Sequence, residues 1–272
     1  MKLAKKVCSV FFLVIVLAFI YIPILLLAVY SFTDATMVGG SINSFSLDNY
    51  ATLFRNEELR DMIIGTVLLA LGAALISTIL GTFGAIGAFY SKKTARSLIN
   101  YANQIPVVNA DVVTGFSVCI LLIIIFGADK DSYVPLVIGH TVLCTPFVYL
   151  SVMPKLKQMD NNLYEAALDL GATPAQALFK VVLPQLLPGI LSGFMLAVTL
   201  SLDDYFITTY TKPSTFDTIS TYVVNATKGS QTEIKTALWA LSTAIFVIVA
   251  AIVILMNVLP ARGHKRKEAR DL

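Results

Sequence analysis

Long apolar stretches limit what this chain can fold into more than any other feature of its sequence. Six of them follow one another along the chain: Val7–Phe32, Met62–Tyr90, Ser97–Ala128, Val134–Pro154, Val181–Thr211 and Thr236–Ala261. Charged residues occur in only two, Asp111 in the third stretch and the adjacent pair Asp203 and Asp204 in the fifth. Each stretch is long enough for the ~20 helical residues that cross a bilayer core. The sequence therefore predicts an all-α membrane protein with six transmembrane helices.

The composition agrees with this interpretation, since 57% of the residues are hydrophobic, 14% are charged and the mean hydropathy is +0.78. A soluble domain averages about 45–50% apolar and about 25% charged residues. The first stretch follows three lysines, as a cleaved signal peptide does. However, it is longer than the apolar region of such a peptide, and no small-x-small cleavage site precedes Thr33. We therefore interpret it as the first span.

Lysine and arginine residues predict the orientation, because cytoplasmic loops carry an excess of both. Most of the 20 lie in the N-terminal tail, the 91–96 loop, the 154–184 segment and the C-terminal tail, so both termini are predicted to be cytoplasmic. Beside a span, the basic tail RGHKRKEAR is an orientation signal that contacts anionic lipid rather than a nucleic-acid patch. We divide the chain into three parts: the first helix and an outer segment (1–61), a five-helix core with a cytoplasmic element at 159–184 (62–260), and the basic tail (261–272).

Two polar segments have their own helical signals. FSLDNYATLFRNEEL in the outer segment predicts a short helix along the membrane face, with Asp48 as a candidate cap. In the cytoplasmic element, Asn162 and Glu165 have the spacing of a capping box, and Gly171 ends the helix that they begin. Thr173-Pro174 then begins a second helix. The residues alone leave two interpretations open, a structured loop between two spans and a docking element for a partner.

The same element carries a family resemblance. EAALDLGATPAQALFKVVLP resembles the cytoplasmic signature of ATP-binding-cassette (ABC) importer permeases, with a departure at Val181, where isoleucine is commoner. IPILLLAVYSF, FSLDNYATLF and LSLDDYFITTY resemble the first span, outer segment and fifth span of spermidine/putrescine importer permeases, so the likeness covers nearly the whole chain. The signature positions are Glu165, Ala166, Ala167, Gly171, Val181, Leu183 and Pro184.

The resemblance implies a type I ABC importer permease fold (MetI-like), in which a first helix wraps a five-helix core. It implies a bacterial cytoplasmic membrane location and a complex with a second permease subunit, a paralogue, two ATPase subunits and an extracytoplasmic solute-binding protein. By this resemblance the 159–184 element couples the permease to an ATPase, and Glu165, Ala166, Ala167 and Gly171 make the contact. Leu183 and Pro184 complete the coupling signature.

Catalysis and cofactors are not expected in this chain. It has no G-x-x-x-x-G-K-[ST] motif, so ATP is predicted to bind a partner subunit. His140 has no set of metal ligands around it in the sequence and is predicted to be a hydrogen-bonded packing residue. The three cysteines lie in apolar stretches and are interpreted as small core residues.

Carboxylates inside a membrane are costly, so Asp111, Asp203 and Asp204 are hypothesised to line a pathway for a polyamine cation. Tyr205 supplies an aromatic wall and cation–π contact. Since adjacent helical side chains point about 100° apart, one of the pair is expected to face the path and the other to hydrogen-bond within the bundle. The alternative places the pair at the outer interface near Lys212, with Asp111 satisfied by Asn109, Thr114 or a partner subunit.

Three other functions stay open. The same kind of importer could carry another organic cation or an iron chelate. The aspartates alone also fit an intramembrane aspartyl enzyme, although such a dyad would leave the ATPase-docking signature without a purpose. A passive channel would need neither ATP nor partner chains, so the need for both separates it from an importer.

Overall fold

The computed structural model describes residues 2–35, 40–42, 44–160, 162–228 and 237–247. These residues are mostly helical, and a single antiparallel bridge joins Thr33 to Phe45. Two π-helical segments, Ile120–Ile125 and Leu178–Val182, extend α5 and join α8 to α9. The helices are α1 (Lys2–Ser31), α2 (Asp48–Arg55), α3 (Glu57–Tyr90), α4 (Lys93–Val108), α5 (Asp111–Cys119), α6 (Val134–Gln158), α7 (Asn162–Asp169), α8 (Pro174–Ala177), α9 (Leu183–Asp203), α10 (Phe206–Thr211), α11 (Ile219–Lys228) and α12 (Ala237–Val247).

Four helical segments are long and apolar enough to cross a membrane: Val10–Ser31, Glu57–Tyr90, Val134–Gln158 and Pro174–Asp203. The number rises to five if Lys93–Val108 and Asp111–Ile125 form one bent span. Of the predicted sixth span, Thr236–Ala261, the structure describes the apolar helix α12. The rest of that span lies outside the described residues.

Two predicted spans are not continuous helices. The third, Ser97–Ala128, breaks after Val108 and bends by 106° between α4 and α5. The fifth, Val181–Thr211, breaks after Asp203 and resumes at Phe206 as α10. The first break lies near Pro106, one of the prolines that suggest a kink or break in these stretches, whereas Pro188 stays inside α9. At the two breaks Ala110 and Asp204 have extended backbone conformations (ψ 136° and 125°).

The chain divides into two compact units, one formed by residues 61–222 and the other by the remaining residues. Helix α6 lies at the centre of the 61–222 unit. The side chains of Val148, Val152 and Leu156 on it are completely buried. Glycines allow its neighbours to approach closely. A Cβ on Gly81 of α3 would lie 2.8 Å from the Val148 Cβ, and one on Gly193 of α9 would lie 3.2 Å from the Val148 Cα. Small residues at helix crossings are typical of membrane bundles.

In the other unit, the outer segment folds onto the end of α1. Asn49 Nδ2 donates hydrogen bonds to the carbonyl oxygens of Ser31 (3.2 Å) and Thr33 (3.1 Å). The predicted short helix is present as α2, but Asp48 is its first residue rather than its cap, and the Asp48 N–H donates to Ser46 Oγ at 3.0 Å. Most large apolar side chains of α1 from Val10 onward are exposed, as expected for a helix that crosses lipid.

Candidate functional site

The break at Asp204 is built by its own carboxylate. Oδ1 accepts the backbone N–H of Ile207 (3.3 Å), and Oδ2 accepts the backbone N–H (2.7 Å) and the hydroxyl (2.8 Å) of Thr208. A carboxylate in this position satisfies the free donors at the start of a helix. Asp204, which is 8% exposed, therefore caps the first turn of α10 with its side chain and does not face an open path.

Asp203 has a different environment from its neighbour. Its side chain is exposed, and its backbone carbonyl accepts a hydrogen bond from the Ser220 hydroxyl at 2.9 Å. Tyr205 is half-buried, and its ring meets that of Phe206 edge-on at 5.2 Å between centroids. An accessible carboxylate thus lies at the end of α9, two residues before this aromatic pair in the sequence.

The break between α4 and α5 presents a second carboxylate. Asp111 is the first residue of α5 and is exposed. Asn109 Nδ2 donates to Thr114 Oγ1 at 3.0 Å, so these two side chains bond each other across the start of the helix. The alternative in which they satisfy Asp111 does not match this geometry.

Helices α5 and α10 lie side by side. A Cβ on Gly115 would lie 3.0 Å from the Ile207 Cα, and the rings of Phe116 and Tyr210 meet edge-on at 5.7 Å. The loops that follow the two helices are also joined, because Asp131 accepts hydrogen bonds from the Ser214 backbone N–H (3.0 Å) and hydroxyl (2.8 Å). These bonds lower the pKa of Asp131, the backbone bond contributing most.

Since α5 and α10 lead into joined loops, their starts lie at the same end of the pair. Asp111 therefore lies at the same end as Asp203 and Tyr205. Lys212 is not a partner of this group, because its Nζ lies 2.8 Å from Asp217 Oδ1 and donates to the Phe216 carbonyl at 2.9 Å. Lys212 thus has partners of its own, and the alternative that places the aspartate pair at the outer interface stays a prediction.

His140 of α6 lies behind the Asp204 break and is fully buried. Its Nδ1 is 2.7 Å from Ser201 Oγ, and its Nε2 is 3.0 Å from Thr208 Oγ1 and 3.7 Å from Asp204 Oδ2. The sequence interpretation of a hydrogen-bonded residue was correct, but it gave no sign of these partners. Within the described part of the chain, no cluster of three or more His, Cys, Asp or Glu side chains is suited to a metal ion.

The 159–184 element is ordered by local signals. Gly171 has φ +84°, a conformation that favours glycine, and it ends the first helix as predicted. Thr173 and Gln176 form a reciprocal capping box at the start of α8, with Pro174 at the first position. The predicted box of Asn162 with Glu165 was wrong, because Asn162 is already helical and its N–H donates to Asp160 Oδ1 at 3.0 Å.

The predicted coupling residues divide by exposure. Glu165, Ala166, Gly171 and Pro184 are exposed, Leu183 is half-buried, and Ala167 is buried. Leu170, which the signature does not specify, is 89% exposed, the highest value among the exposed large hydrophobic residues. Leu170 is thus a large apolar side chain left uncovered beside the turn at Gly171.

Sequence comparisons identify relatives along most of the chain. The family model described as "Binding-protein-dependent transport system inner membrane component" matches residues 81–266. The putrescine transport system permease protein PotI of Escherichia coli K12 is 31% identical over 265 residues, which cover 93% of this chain and 90% of that protein. The spermidine/putrescine transport system permease protein PotC of Haemophilus influenzae is 28% identical over 253 residues, covering 93% and 96%.

Structural comparisons agree with the family's fold. The chain resembles one in a crystal structure of a bacterial alginate ABC transporter in complex with an alginate pentasaccharide-bound periplasmic protein, with a TM-score of 0.70, 17% identity and 96% of each chain covered. It also resembles a chain of the MetNI methionine ABC transporter in an inward-facing conformation, with a TM-score of 0.53, 16% identity and 75% and 97% covered. At these identities the likeness concerns the fold, which is that of type I ABC importer permeases.

Proposed function

Because this chain belongs to the family of binding-protein-dependent transport system inner membrane components, we propose that it is the permease subunit of an ATP-driven importer for polyamines such as spermidine and putrescine. Relatives named as putrescine and spermidine/putrescine permeases support this substrate. The chain is a multi-pass membrane protein without a catalytic role, so the alternative of an intramembrane aspartyl enzyme is set aside. The proposed location is the bacterial cytoplasmic membrane.

The accessible carboxylate of Asp203, at a break in a membrane helix, is the observation that carries the substrate proposal. A polyamine is a flexible chain whose ammonium groups are separated by methylene groups, so its path needs carboxylates at intervals with apolar or aromatic surface between them. Asp203 and Asp111 supply two carboxylates on separate elements, and Tyr205 supplies aromatic surface beside one of them. An aromatic face also attracts an ammonium group directly.

Asp204 has a different proposed role from the one that its position next to Asp203 suggested. Its carboxylate is already occupied by three donors at the start of α10. It therefore holds the break open and does not bind the passing cation. Only Asp203 of the pair then lies on the path, and a single carboxylate keeps the affinity for the cation low enough for release.

The cytoplasmic element is proposed to dock into an ATPase subunit. Glu165, Ala166 and Gly171 are exposed on it, and so is the apolar side chain of Leu170 beside Gly171. Ala167 and Leu183 would act from within, by fixing the element to the bundle, and the exposed Pro184 would help to begin the helix that follows. The proposed partners are two ATPase subunits, which bind ATP, a paralogous second permease subunit and an extracytoplasmic solute-binding protein. The fold shared with an alginate transporter crystallised with its periplasmic protein supports the last of these.

Leu170 gives this docking proposal a direct test. Replacing Leu170 with Ser should lower the amount of ATPase subunit that co-purifies with the permease, because the substitution removes the apolar contact at the tip of the element. A loss of about tenfold in apparent affinity corresponds to ~1.4 kcal/mol, less than the burial of one leucine provides. Ala175→Ser, an exposed change on α8, is the matched control. Unchanged co-purification of the Leu170 variant would contradict the proposed contact.

The substrate is tested by uptake of labelled spermidine and putrescine in cells that lack their own polyamine importers. The cells would express this chain with its second permease, ATPase and binding protein. We expect uptake that needs ATP and every one of the four components. Import of another organic cation or of an iron chelate, with neither amine taken up, would overturn the polyamine proposal and leave the family assignment intact.

A further inference from the structure

His140 is a buried titratable group that the proposed pathway does not use. It belongs to α6 and contacts both sides of the break in the next long helix, Ser201 on α9 and Thr208 on α10. The neighbouring Gly139 also faces α10, since a Cβ there would lie 2.7 Å from Ile207 Cγ2. One short part of α6 therefore contacts the chain before and after the interruption.

The donors in this cluster can be assigned from the acceptors. The Asp204 carboxylate only accepts, and the single hydroxyl proton of Thr208 points to Asp204 Oδ2 at 2.8 Å. Thr208 Oγ1 must then accept from His140, so Nε2 carries a proton. In the neutral imidazole Nδ1 accepts from the Ser201 hydroxyl. The bonds form a directed chain from Ser201 through His140 and Thr208 to Asp204.

This direction matters because the Thr208 proton has a second acceptor. The backbone carbonyl of Asp204 lies 3.3 Å from Thr208 Oγ1, against 2.8 Å for the carboxylate oxygen. A threonine hydroxyl that bonds the carbonyl four residues earlier is the usual arrangement inside an uninterrupted helix. The Thr208 backbone N–H likewise bonds the Asp204 side chain instead of its carbonyl. A continuous helix would use the Asp204 carbonyl for both bonds, whereas the observed break directs the shorter hydroxyl bond and the N–H bond to the carboxylate.

We infer that His140 is a positioning residue that maintains the break between α9 and α10. By donating to Thr208, it directs the threonine hydroxyl to the Asp204 carboxylate. This keeps Asp204 inside the bundle and leaves Asp203 exposed at the end of α9. A continuous helix would turn both carboxylates to new directions. The consequence for polyamine passage rests on the proposed function, whereas the effect on the helix does not.

Two amide substitutions separate the bonds of His140. The side-chain amide of Asn reaches the place of Nδ1, so His140→Asn keeps a partner for Ser201 and loses the donor to Thr208. The longer Gln reaches the place of Nε2, so His140→Gln keeps that donor. Ser201→Ala is the control that removes only the bond on the α9 side. Thr208→Val removes the linking hydroxyl and replaces His140→Asn if that variant does not assemble.

Two readouts are measured on the assembled complex in lipid. The first is the number of polyamine molecules imported per ATP hydrolysed, a ratio that the amount of complex does not change. It should fall about fivefold in His140→Asn, the factor equivalent to roughly one hydrogen bond, and stay within about twofold of wild type in His140→Gln and Ser201→Ala. The second is hydrogen exchange of the Ile207 and Thr208 amides, which should be faster in His140→Asn only.

The outcomes separate the two proposals. Equal numbers of polyamine molecules imported per ATP and equal amide exchange in the Asn and Gln variants would overturn the positioning role. Less assembled complex in both variants, with an unchanged import ratio, would also overturn it, because that result indicates a packing role alone. If the wild-type complex imports no polyamine, the proposed function fails. The exchange difference between the Asn and Gln variants then still supports or overturns the role of His140.

Discussion

The two interrupted helices of the 61–222 unit differ in what holds each break. At the break between α9 and α10, Asp204 accepts three hydrogen bonds and a buried histidine from α6 lies behind it. At the break between α4 and α5, one side-chain bond from Asn109 to Thr114 spans the start of the helix, and its neighbour Asp111 is exposed. The first break is fixed by the core, and the second is built from local contacts.

This difference separates two uses of a carboxylate in a membrane helix. Asp204 is surrounded by donors, so removing it would leave buried N–H groups without acceptors. Asp111 and Asp203 are exposed, so removing either changes the charge of the surface rather than the packing. Stability and transport should therefore respond to different aspartates.

The largest expected effect comes from Asp204→Ala. It should destabilise the unit by about 2–4 kcal/mol, because it removes a helix cap and leaves the buried backbone N–H groups of Ile207 and Thr208 without their acceptor. Thermal unfolding of the purified complex would measure the loss. Asp111→Ala at the other break is the matched control and should stay within about 0.5 kcal/mol of wild type. Similar unfolding temperatures for the two variants would contradict the claim that the core stabilises the break at Asp204 more than the break at Asp111.

A smaller effect is expected where the two interrupted helices meet. Gly115→Ala should cost about 1–3 kcal/mol, because the new methyl group would lie 3.0 Å from the Ile207 Cα, a backbone atom with little room to shift. Gly72→Ala is the control, since nothing lies within 4 Å of a Cβ there. Thermal unfolding serves again, and a stable Gly115 variant would show that α5 and α10 are not tightly packed.

The smallest effect concerns the joined loops beyond the two helices. The Ser214 bonds lower the pKa of Asp131 in the folded protein, so they add stability above the carboxyl's ordinary pKa and lose it as the pH falls through the lowered value. Asp131→Asn should remove this dependence while keeping most contacts. The comparison is the difference in unfolding temperature between neutral and acidic pH. An identical difference in variant and wild type would mean that the loops are not joined in solution.

Local signals in the sequence predicted the parts of the fold that depend on local physics. Apolar stretches gave the helices, and Gly171 with Thr173-Pro174 gave the end of one cytoplasmic helix and the start of the next. The break at Asp204 was missed, and its contact with His140 joins residues that lie far apart in the sequence. A usable signal was present in the sequence. Asp204 precedes Ile207 by three residues and Thr208 by four, and an aspartate just before a helix is a preferred cap.

The candidate site was predictable in its residue types and not in their roles. The cost of a carboxylate in lipid singled out Asp111, Asp203 and Asp204. Their separation into exposed and capping side chains depends on where the backbone leaves the helix, which hydropathy does not report. Leu170 was missed for a related reason, because its exposure follows from the turn at Gly171 and not from its residue type.

The most direct test of the central claim is the rate of spermidine uptake by Asp203→Asn in proteoliposomes that contain the complete importer, measured per assembled complex. The predicted result is a fall of about tenfold, equivalent to ~1.4 kcal/mol, with an unfolding temperature equal to that of wild type. Glu58→Gln, another exposed carboxylate, should transport at the wild-type rate. A wild-type rate for Asp203→Asn would contradict the claim that this carboxylate lies on the path of the cation.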